Sequence, residues 1–267
     1  MKQKLFWLVA MPRSGNTLFG SLMNQNPDIG VTANSITLEI MKDLFLLKQT
    51  DVFQNYPDEK SLDNVLDSVF DNYYKDWNYK YIIDRGPVST PGNLILMQKH
   101  FKQPIKCVVL LRDVLDVLAS YMKWYTNNPN SFVNRYGLKT DDEKLGMLMN
   151  KEGAIAKDLE AIKTLLQPEN SHMACFVKYD DLIADPKTQL NKIYNFLEIP
   201  YYEHNFNNLS QLKVNDRSYD DKIVGDNMHT IRTNGIYKED NPYRSMIPKR
   251  IVDKYGHIRF WYEWYKI

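Results

Sequence analysis

Short apolar runs of strand length recur along the chain and alternate with stretches of helical spacing. The first run, residues 5–10, leads through a polar turn at 11–17 into a helix-compatible stretch at 18–25. Four further candidates have strand character: a short one at 31–32, and longer ones at 80–84, 107–111 and 174–178. Strands that alternate with helices predict an α/β fold, with a central parallel β-sheet flanked by helices.

Helical spacing fills most of the intervals between these strands. The run at 107–111 is apolar on both faces, which places it in the middle of the sheet. Asp185 followed by Pro186 predicts a helix start, because Asp is a good N-cap and Pro fits the first helical position. The predicted helices after the first one are residues 38–48, 61–77, 93–101, 114–125, 141–166, 186–197 and 247–255, with an irregular polar stretch after residue 200.

Composition narrows the class of protein. Of 267 residues 43% are hydrophobic, enough for a sizeable core, and 34 basic residues balance 33 acidic ones to a net charge of +1. That balance provides no overall field for nucleic acid or a membrane surface. Cys107 and Cys175 lie in apolar runs and are expected to be buried free thiols, and no Cys or His pair has metal-ligand spacing. We therefore expect a cytoplasmic enzyme without a metal, a nucleic-acid partner or a membrane anchor.

The turn after the first strand has the composition of a phosphate-binding loop. Gly15 allows close backbone approach, Arg13 adds a fixed positive charge, and Ser14 and Thr17 add hydroxyl donors at the start of a helix. The nucleotide-triphosphate loop G-x-x-x-x-G-K-[ST] is matched in part, because its Lys is replaced by Asn16. Without that Lys, phosphoryl transfer from ATP or GTP is disfavoured.

A second polar cluster follows the strand at 107–111. Arg112 stands at the carboxyl end of that strand, and Asp113 can cap the next helix. On one face of that helix lie Asp116, Ser120, Lys123 and Asn127. A hydroxyl on this face could join Arg112 around an anion, although an ordinary amphipathic helix has the same pattern.

Three segments together resemble the sulfotransferases that use 3′-phosphoadenosine-5′-phosphosulfate (PAPS). They are P-R-S-G-x-T-L from Pro12, R-D-x-x-x-x-x-x-S from Arg112 to Ser120, and a Tyr-Asp-Asp-Leu segment from Tyr179 that ends at Pro186. The resemblance implies a single domain, 1–267, with the P-loop-like sulfotransferase fold. It further implies helical insertions on the acceptor side at about 35–77 and 124–166, and a segment 201–267 that packs over the nucleotide site.

The resemblance also implies roles for individual residues. The first loop, with Arg13 to Thr17 and Leu18, would hold the 5′-phosphosulfate, and Arg112 with Ser120 would hold the 3′-phosphate. Arg85 stands where many relatives have the Lys that polarises the sulfuryl group, and Arg can supply the same charge but not a proton. The members of that loop between Arg13 and Thr17 are Ser14, Gly15 and Asn16, and the remaining expected nucleotide-binding residues are Tyr179, Arg232 and Lys238.

The general base is the point of departure from the family. Relatives in the tyrosylprotein branch carry a glutamate after the first turn, where this chain has Asn34, which cannot accept a proton. Glu39, Asp84 and His229 are the alternatives, and none is favoured by the sequence.

The predicted function is transfer of a sulfuryl group from PAPS to a hydroxyl or amine of a small-molecule, glycan or peptide acceptor. The product from the donor would be adenosine 3′,5′-bisphosphate (PAP). The rival hypotheses are a P-loop kinase for a nucleotide or small molecule, and a catalytically inactive protein that binds the bisphosphate. The sequence does not identify the acceptor or the oligomeric state.

Overall fold

The predicted strands form one parallel sheet. The computed structural model describes residues 3–32, 35–238, 240–259 and 261. In this part of the chain the sheet has the order β2-β3-β1-β4-β5, and each pair of neighbours runs parallel. The strands are β1 (Lys4–Ala10), β2 (Ile29–Val31), β3 (Tyr81–Arg85), β4 (Cys107–Leu111) and β5 (Ala174–Lys178). The predicted α/β class with a parallel central sheet is confirmed.

Helices cover both faces of the sheet, because the side chains of each strand alternate between two cores. In β1, Trp7 and Val9 belong to one core, and Phe6 and Leu8 to the other. The helices are α1 (Asn16–Met23), α2 (Thr37–Leu46), α3 (Asp51–Asn55), α4 (Glu59–Tyr73), α5 (Pro91–His100), α6 (Val114–Thr126), α7 (Phe132–Arg135), α8 (Asp141–Leu148), α9 (Ala156–Leu165), α10 (Tyr179–Ala184), α11 (Pro186–Leu197) and α12 (Lys249–Tyr255).

The connections of β1 and β4 diverge at their carboxyl ends. From β1 the chain passes through α1 to β2 on one side of the sheet, whereas from β4 it passes through helices to β5 on the other side. Such a divergence leaves a crevice outside the strand ends, where ligands of open α/β sheets bind. The two polar clusters of the sequence, at 11–17 and from Arg112, both begin at this crevice.

The single long helix predicted for residues 141–166 is wrong. The chain forms α8 and α9, with a turn closed by a hydrogen bond from Gly153 N to Asn150 O (2.8 Å). A Cβ at Gly153 would lie 2.4 Å from Leu148 O, so this turn requires glycine. The two helices pack against different partners, α8 against α6 and α12, and α9 against β1 and α5. Tertiary packing therefore outweighs the continuous helical spacing.

The other predicted helices differ from the observed ones only at their ends, by no more than four residues. The N-cap at Asp185 is confirmed, since its side chain accepts a hydrogen bond from Thr188 N (3.1 Å). The stretch after residue 200 is largely irregular and packs on α6, where Arg244 pairs with Asp116 at 2.8 Å. Cys107 and Cys175 are buried and free, as predicted. Within the described ranges no helix is long and apolar enough to span a membrane.

The central strand carries a clear stability prediction. Leu110 in β4 is fully buried, so Leu110→Ala leaves a cavity and is expected to lower the free energy of unfolding by about 2–5 kcal/mol. Ile95→Ala, on an α5 side chain that is 67% exposed, is the matched control and should change it by less than about 0.5 kcal/mol. Urea unfolding measures both, and equal losses in the two variants would contradict the assigned burial.

Candidate functional site

The loop after β1 has the backbone of an anion cradle. Arg13 and Gly15 both have positive φ, +65° and +91°, and α1 begins directly at Asn16. A Cβ on Gly15 would lie 2.8 Å from two ring carbons of Tyr179, so the loop needs glycine for its conformation and for this close contact. The first sequence motif is therefore held against the third.

Arg13 connects the loop to the second motif and to the C-terminal part of the chain. Its Nε donates to Ser120 Oγ on α6 (3.1 Å), and its Nη1 donates to the carbonyl of Met228. Burial lowers the pKa of the Arg13 guanidinium, and nearby Arg112 lowers it further. The side chain remains a cation at neutral pH, because an unperturbed guanidinium titrates so far above it.

Arg112 is held by contacts with the loop after β1 and with Tyr179. Its Nη1 donates to the carbonyl of Arg13 (2.5 Å), and its guanidinium lies over the Tyr179 ring, 4.2 Å from the centroid. Its Nε is buried and has no hydrogen-bond partner among the described residues. The carboxylate of Asp113 caps α6 through Leu115 N (2.8 Å), as predicted, which fixes the turn after β4.

These residues line a cleft of about 300 Å³ at the crevice between β1 and β4. Sequence-predicted residues from five separate regions of the chain come together in it. Its cationic side chains are Arg13, Arg85, Arg112, Lys123, Arg232 and Lys238, and no Asp or Glu is among the described residues that line it. Predicted residues without a charge also line it: Gly15, Asn16, Thr17, Leu18, Ser120 and Tyr179. A cleft lined by six cationic side chains suits a ligand with several negative charges.

The C-terminal part of the chain forms one wall of the cleft. Arg232 lies over the Tyr237 ring, 4.0 Å from the centroid, and donates to the Tyr237 carbonyl (2.9 Å). Lys238 pairs with Asp180 at 2.8 Å, which joins this wall to α10. Apolar side chains complete the lining: Ile183, Ile231 and Ile236. The cleft thus combines cationic side chains with a group of three isoleucines, which we call the apolar wall.

Among the described residues that line the cleft, His229 is the one titratable side chain that can accept a proton near neutral pH. Its Nδ1 is 2.6 Å from Asp221 Oδ1, and its ring stacks on Tyr219 with 3.6 Å between centroids and 5° between planes. Burial lowers the pKa of His229, the contact with Asp221 opposes this, and the charges of Arg85 and Arg13 lower the pKa further.

Three sequence candidates do not line this cleft. Glu39 is exposed on α2. Asp84 is 1% exposed, and its carboxylate accepts hydrogen bonds from three hydroxyls: Thr32 (3.1 Å), Ser35 (2.8 Å) and Thr37 (2.8 Å). Ser14 is fully buried, and its hydroxyl has no hydrogen-bond partner among the described residues. Asn34 lies outside the residues that the structure describes.

A buried carboxylic acid lies behind Arg85. Asp158 on α9 is 9% exposed, and burial raises its pKa to about 7, against the opposing influence of the Arg85 charge. Tyr121 on α6 shares this region, since its pKa responds to Arg13, Arg85 and Asp158. Protonation or deprotonation of Asp158 therefore changes the net charge near Arg85.

Sequence reasoning did not assign a role to several residues in and around the site. Lys123 had a usable signal, because it lies one helical turn beyond Ser120 on the same polar face of α6. Tyr219, Asp221 and Asp158 had none, because their positions depend on how the irregular segment and α9 pack. No group of three or more potential metal-binding side chains occurs in the described ranges.

Comparison with known proteins assigns a family model to almost the whole chain. The model described as "Sulfotransferase domain" matches residues 3–241. No curated protein sequence matches the chain.

Solved structures share the fold at low identity. The sulfotransferase domain from the curacin biosynthetic pathway has 17% identity and a TM-score of 0.52, over 97% of this chain and 92% of its own. The sulfotransferase domain from the Synechococcus PCC 7002 olefin synthase has 15% identity and a TM-score of 0.52, over 96% of both chains. A sulfotransferase from Alicyclobacillus acidocaldarius has 12% identity and a TM-score of 0.53, over 96% of this chain and 92% of its own.

The raised pKa of Asp158 predicts a pH-dependent stability. An unfolded Asp ionises near pH 3.9, whereas the folded carboxyl keeps its proton up to about pH 7. Between these values the folded state binds more protons, so the contribution of Asp158 to the free energy of unfolding falls as pH rises. Asp158→Asn should therefore gain stability over the wild type from pH 4 to pH 7, as measured by urea unfolding.

The control for this prediction is Glu160→Gln, on an exposed position of the same helix. Its difference from the wild type should not change over that pH range. A constant difference between Asp158→Asn and the wild type would show that Asp158 is ionised in the folded protein.

Proposed function

Because the chain belongs to the sulfotransferase domain family, we propose that it transfers a sulfuryl group from PAPS to a hydroxyl or amine of an acceptor. The observation that carries the proposal is the cleft itself, in which six cations and no carboxylate converge among the described lining residues. PAPS carries a phosphosulfate and a separate phosphate, and this charge pattern fits a cleft with cations on several sides.

The residues present suit the two anionic groups of the donor. We assign the 5′-phosphosulfate to the loop after β1, where positive φ at Gly15 and the start of α1 direct backbone N–H groups outward. We assign the 3′-phosphate to Arg112, which directly follows β4, and to Ser120 and Lys123 on the polar face of α6. The buried, unpartnered Nε of Arg112 supports this assignment, because such a donor needs an acceptor.

The apolar wall suits a nucleobase. Tyr179 contributes a ring held by Gly15 and Arg112, and three isoleucines line the same cleft: Ile183, Ile231 and Ile236. Arg232 and Lys238 would cover the nucleotide from this side. Flat apolar surfaces of this kind bury an aromatic base, while the cations orient its phosphates.

The bound donor supplies the sulfuryl group, and the protein supplies position and charge. We assign to Arg13 and Arg85, which both line the cleft, the neutralisation of the negative charge that develops on the departing 5′-phosphate oxygen. Fixed cations in a partly buried cleft act without reorganisation, as in phosphoryl transfer. The acceptor is proposed to be a small molecule, glycan or peptide, with the helices in 35–77 and 124–166 as its binding side. The cytoplasm is the proposed location, supported by the two free, buried thiols.

Binding of the bisphosphate product tests the donor assignment. The wild type should bind PAP without Mg²⁺ in isothermal titration calorimetry. Arg112→Ala removes charge-assisted hydrogen bonds and should weaken this binding by about 1–3 kcal/mol, roughly 5- to 150-fold. Arg250→Ala, on α12 with a side chain that is 85% exposed, is the matched control and should bind as the wild type does.

The same measurement separates the rival hypotheses. Tight Mg·ATP binding with no affinity for PAP would support a P-loop kinase instead. Binding of PAP without sulfated product from phenol, sugar or peptide acceptors, as measured by mass spectrometry, would favour an inactive binding protein.

Arg85 is expected to act mainly on turnover. Arg85→Ala should lower the rate of PAP formation from PAPS more than it lowers PAP affinity, because the developing charge exists only in the transition state. Arg85→Lys keeps the charge and should recover part of the rate. A loss confined to PAP affinity would assign Arg85 to donor binding alone.

A further inference from the structure

We propose that His229 is the general base of the transfer and that Asp221 is its positioning residue. The proposal rests on the proposed sulfotransferase function and supplies the proton acceptor that the sequence leaves open. Both residues lie in the segment 219–229, in the irregular part of the chain after α11.

The Asp221 carboxylate binds His229 at two points. Oδ1 lies 2.6 Å from the imidazole Nδ1, and Oδ2 accepts a hydrogen bond from the main-chain N of His229 (2.9 Å). An ionised carboxylate can only accept, so Nδ1 carries the proton. The neutral ring then has its lone pair on Nε2. Asp221 thus selects the tautomer in which Nε2 can accept a proton.

The plane of the imidazole is fixed as well. Tyr219 stacks on it, with ring planes 5° apart, and the side chains of His229 and Asp221 are only 21% and 17% exposed. A base held in one plane and one tautomer loses little entropy when the acceptor arrives.

The loop between Asp221 and His229 is anchored to the helices around the cleft. Gly225 has φ +131°, and a Cβ there would lie 2.7 Å from the Trp124 ring. Trp124 Nε1 donates to the Asp226 carbonyl (3.0 Å), and Phe132 N donates to the Val224 carbonyl (2.7 Å). The Met228 carbonyl, directly before His229, accepts from Arg13. The base is therefore tied to the loop proposed to hold the phosphosulfate.

The charges around His229 favour its neutral form. Arg85 and Arg13 face the ring and lower its pKa together with burial, and Asp221 is the carboxylate that raises it. Tyr219, the stacking partner, has a pKa raised by burial and stays neutral. The imidazole is thus free to accept a proton near neutral pH, and Asp221 then stabilises the imidazolium that forms.

The transfer forms one bond to sulfur and breaks another. The acceptor oxygen forms a bond to sulfur while the bond between sulfur and the bridging phosphate oxygen breaks, and the electron pair of that bond stays on the phosphate oxygen. The acceptor proton passes to His229 Nε2 and later to solvent. Arg13 and Arg85, which line the same cleft, neutralise the departing oxygen. The other two candidate bases are less suitable, since Glu39 is exposed away from the cleft and the Asp84 carboxylate is occupied by three hydroxyls.

Nitrogen-15 NMR of the imidazole rings tests the pair directly, without an acceptor. The chain has five His, and the signal lost in His229→Gln identifies the residue. We expect the wild type to show neutral His229 with Nδ1 protonated and Nε2 unprotonated. Asp221→Asn should lower the His229 pKa and abolish this tautomer preference. Asp226→Asn, an exposed position of the same loop, is the matched control and should leave both unchanged.

Kinetics test the role of the pair. PAP formation from PAPS, with water or a phenol as acceptor, should rise with pH through the His229 pKa measured by NMR. His229→Gln should lower this rate by about 100-fold or more while PAP affinity stays within a factor of two or so. Asp221→Asn should lower the rate by a smaller factor and move the midpoint of the pH profile to lower pH, whereas Asp226→Asn should match the wild type.

The two proposals fail in different ways. A wild type that does not bind PAP would overturn the proposed donor, whatever the NMR shows. Binding of PAP together with an Nε2-protonated His229, or with an unchanged rate in His229→Gln, would overturn the general-base proposal alone. A reduced rate in Asp221→Asn without any shift in the NMR or pH midpoint would assign Asp221 to loop stability.

Discussion

The structure depends on the concentration of positive charge at one end of a parallel sheet. Arg13 and Arg112 stand at the carboxyl ends of two neighbouring strands, and Tyr179 packs against both the glycine of the loop and the Arg112 guanidinium. Repulsion between such cations disfavours the folded state unless an anion binds. The Arg13 contacts with Ser120 and the Met228 carbonyl use neutral oxygens, which orient the cation without cancelling its charge.

The carboxylates near the cleft are engaged in positioning other groups. Asp180 pairs with Lys238, Asp221 holds His229, and Asp84 binds the hydroxyls at the start of α2. Asp158 differs, because burial favours its protonated form. The described lining of the cleft therefore carries six cationic side chains and no carboxylate, although acidic residues lie nearby, and its one imidazole is that of His229. Charge neutralisation and proton acceptance are assigned to different side chains.

The irregular segment after α11 supplies what the sheet does not. The strand ends and α6 bring together Arg13, Arg112 and Ser120, while residues 219–238 add His229, two isoleucines and two further cations to the same cleft. Gly225 and the Trp124 indole fix this segment on α6 and α7. Its low content of regular structure is compatible with a precise site, because side-chain and main-chain hydrogen bonds replace the missing helices and strands.

The parallel α/β class, the strands and the position of the glycine-containing loop after β1 could be predicted from the sequence alone. Apolar runs and turn chemistry are local, and Arg13, Arg112 and Ser120 follow from strand ends and helical spacing. The sequence did not determine the break between α8 and α9, because that break follows from two helices packing on different partners. Nor did it separate Glu39, Asp84 and His229. Which of them lines the cleft depends on tertiary packing. The burial of Asp84 arises from residues far apart along the chain. The contact of His229 with Asp221 arises in an irregular loop that has no periodicity in the sequence.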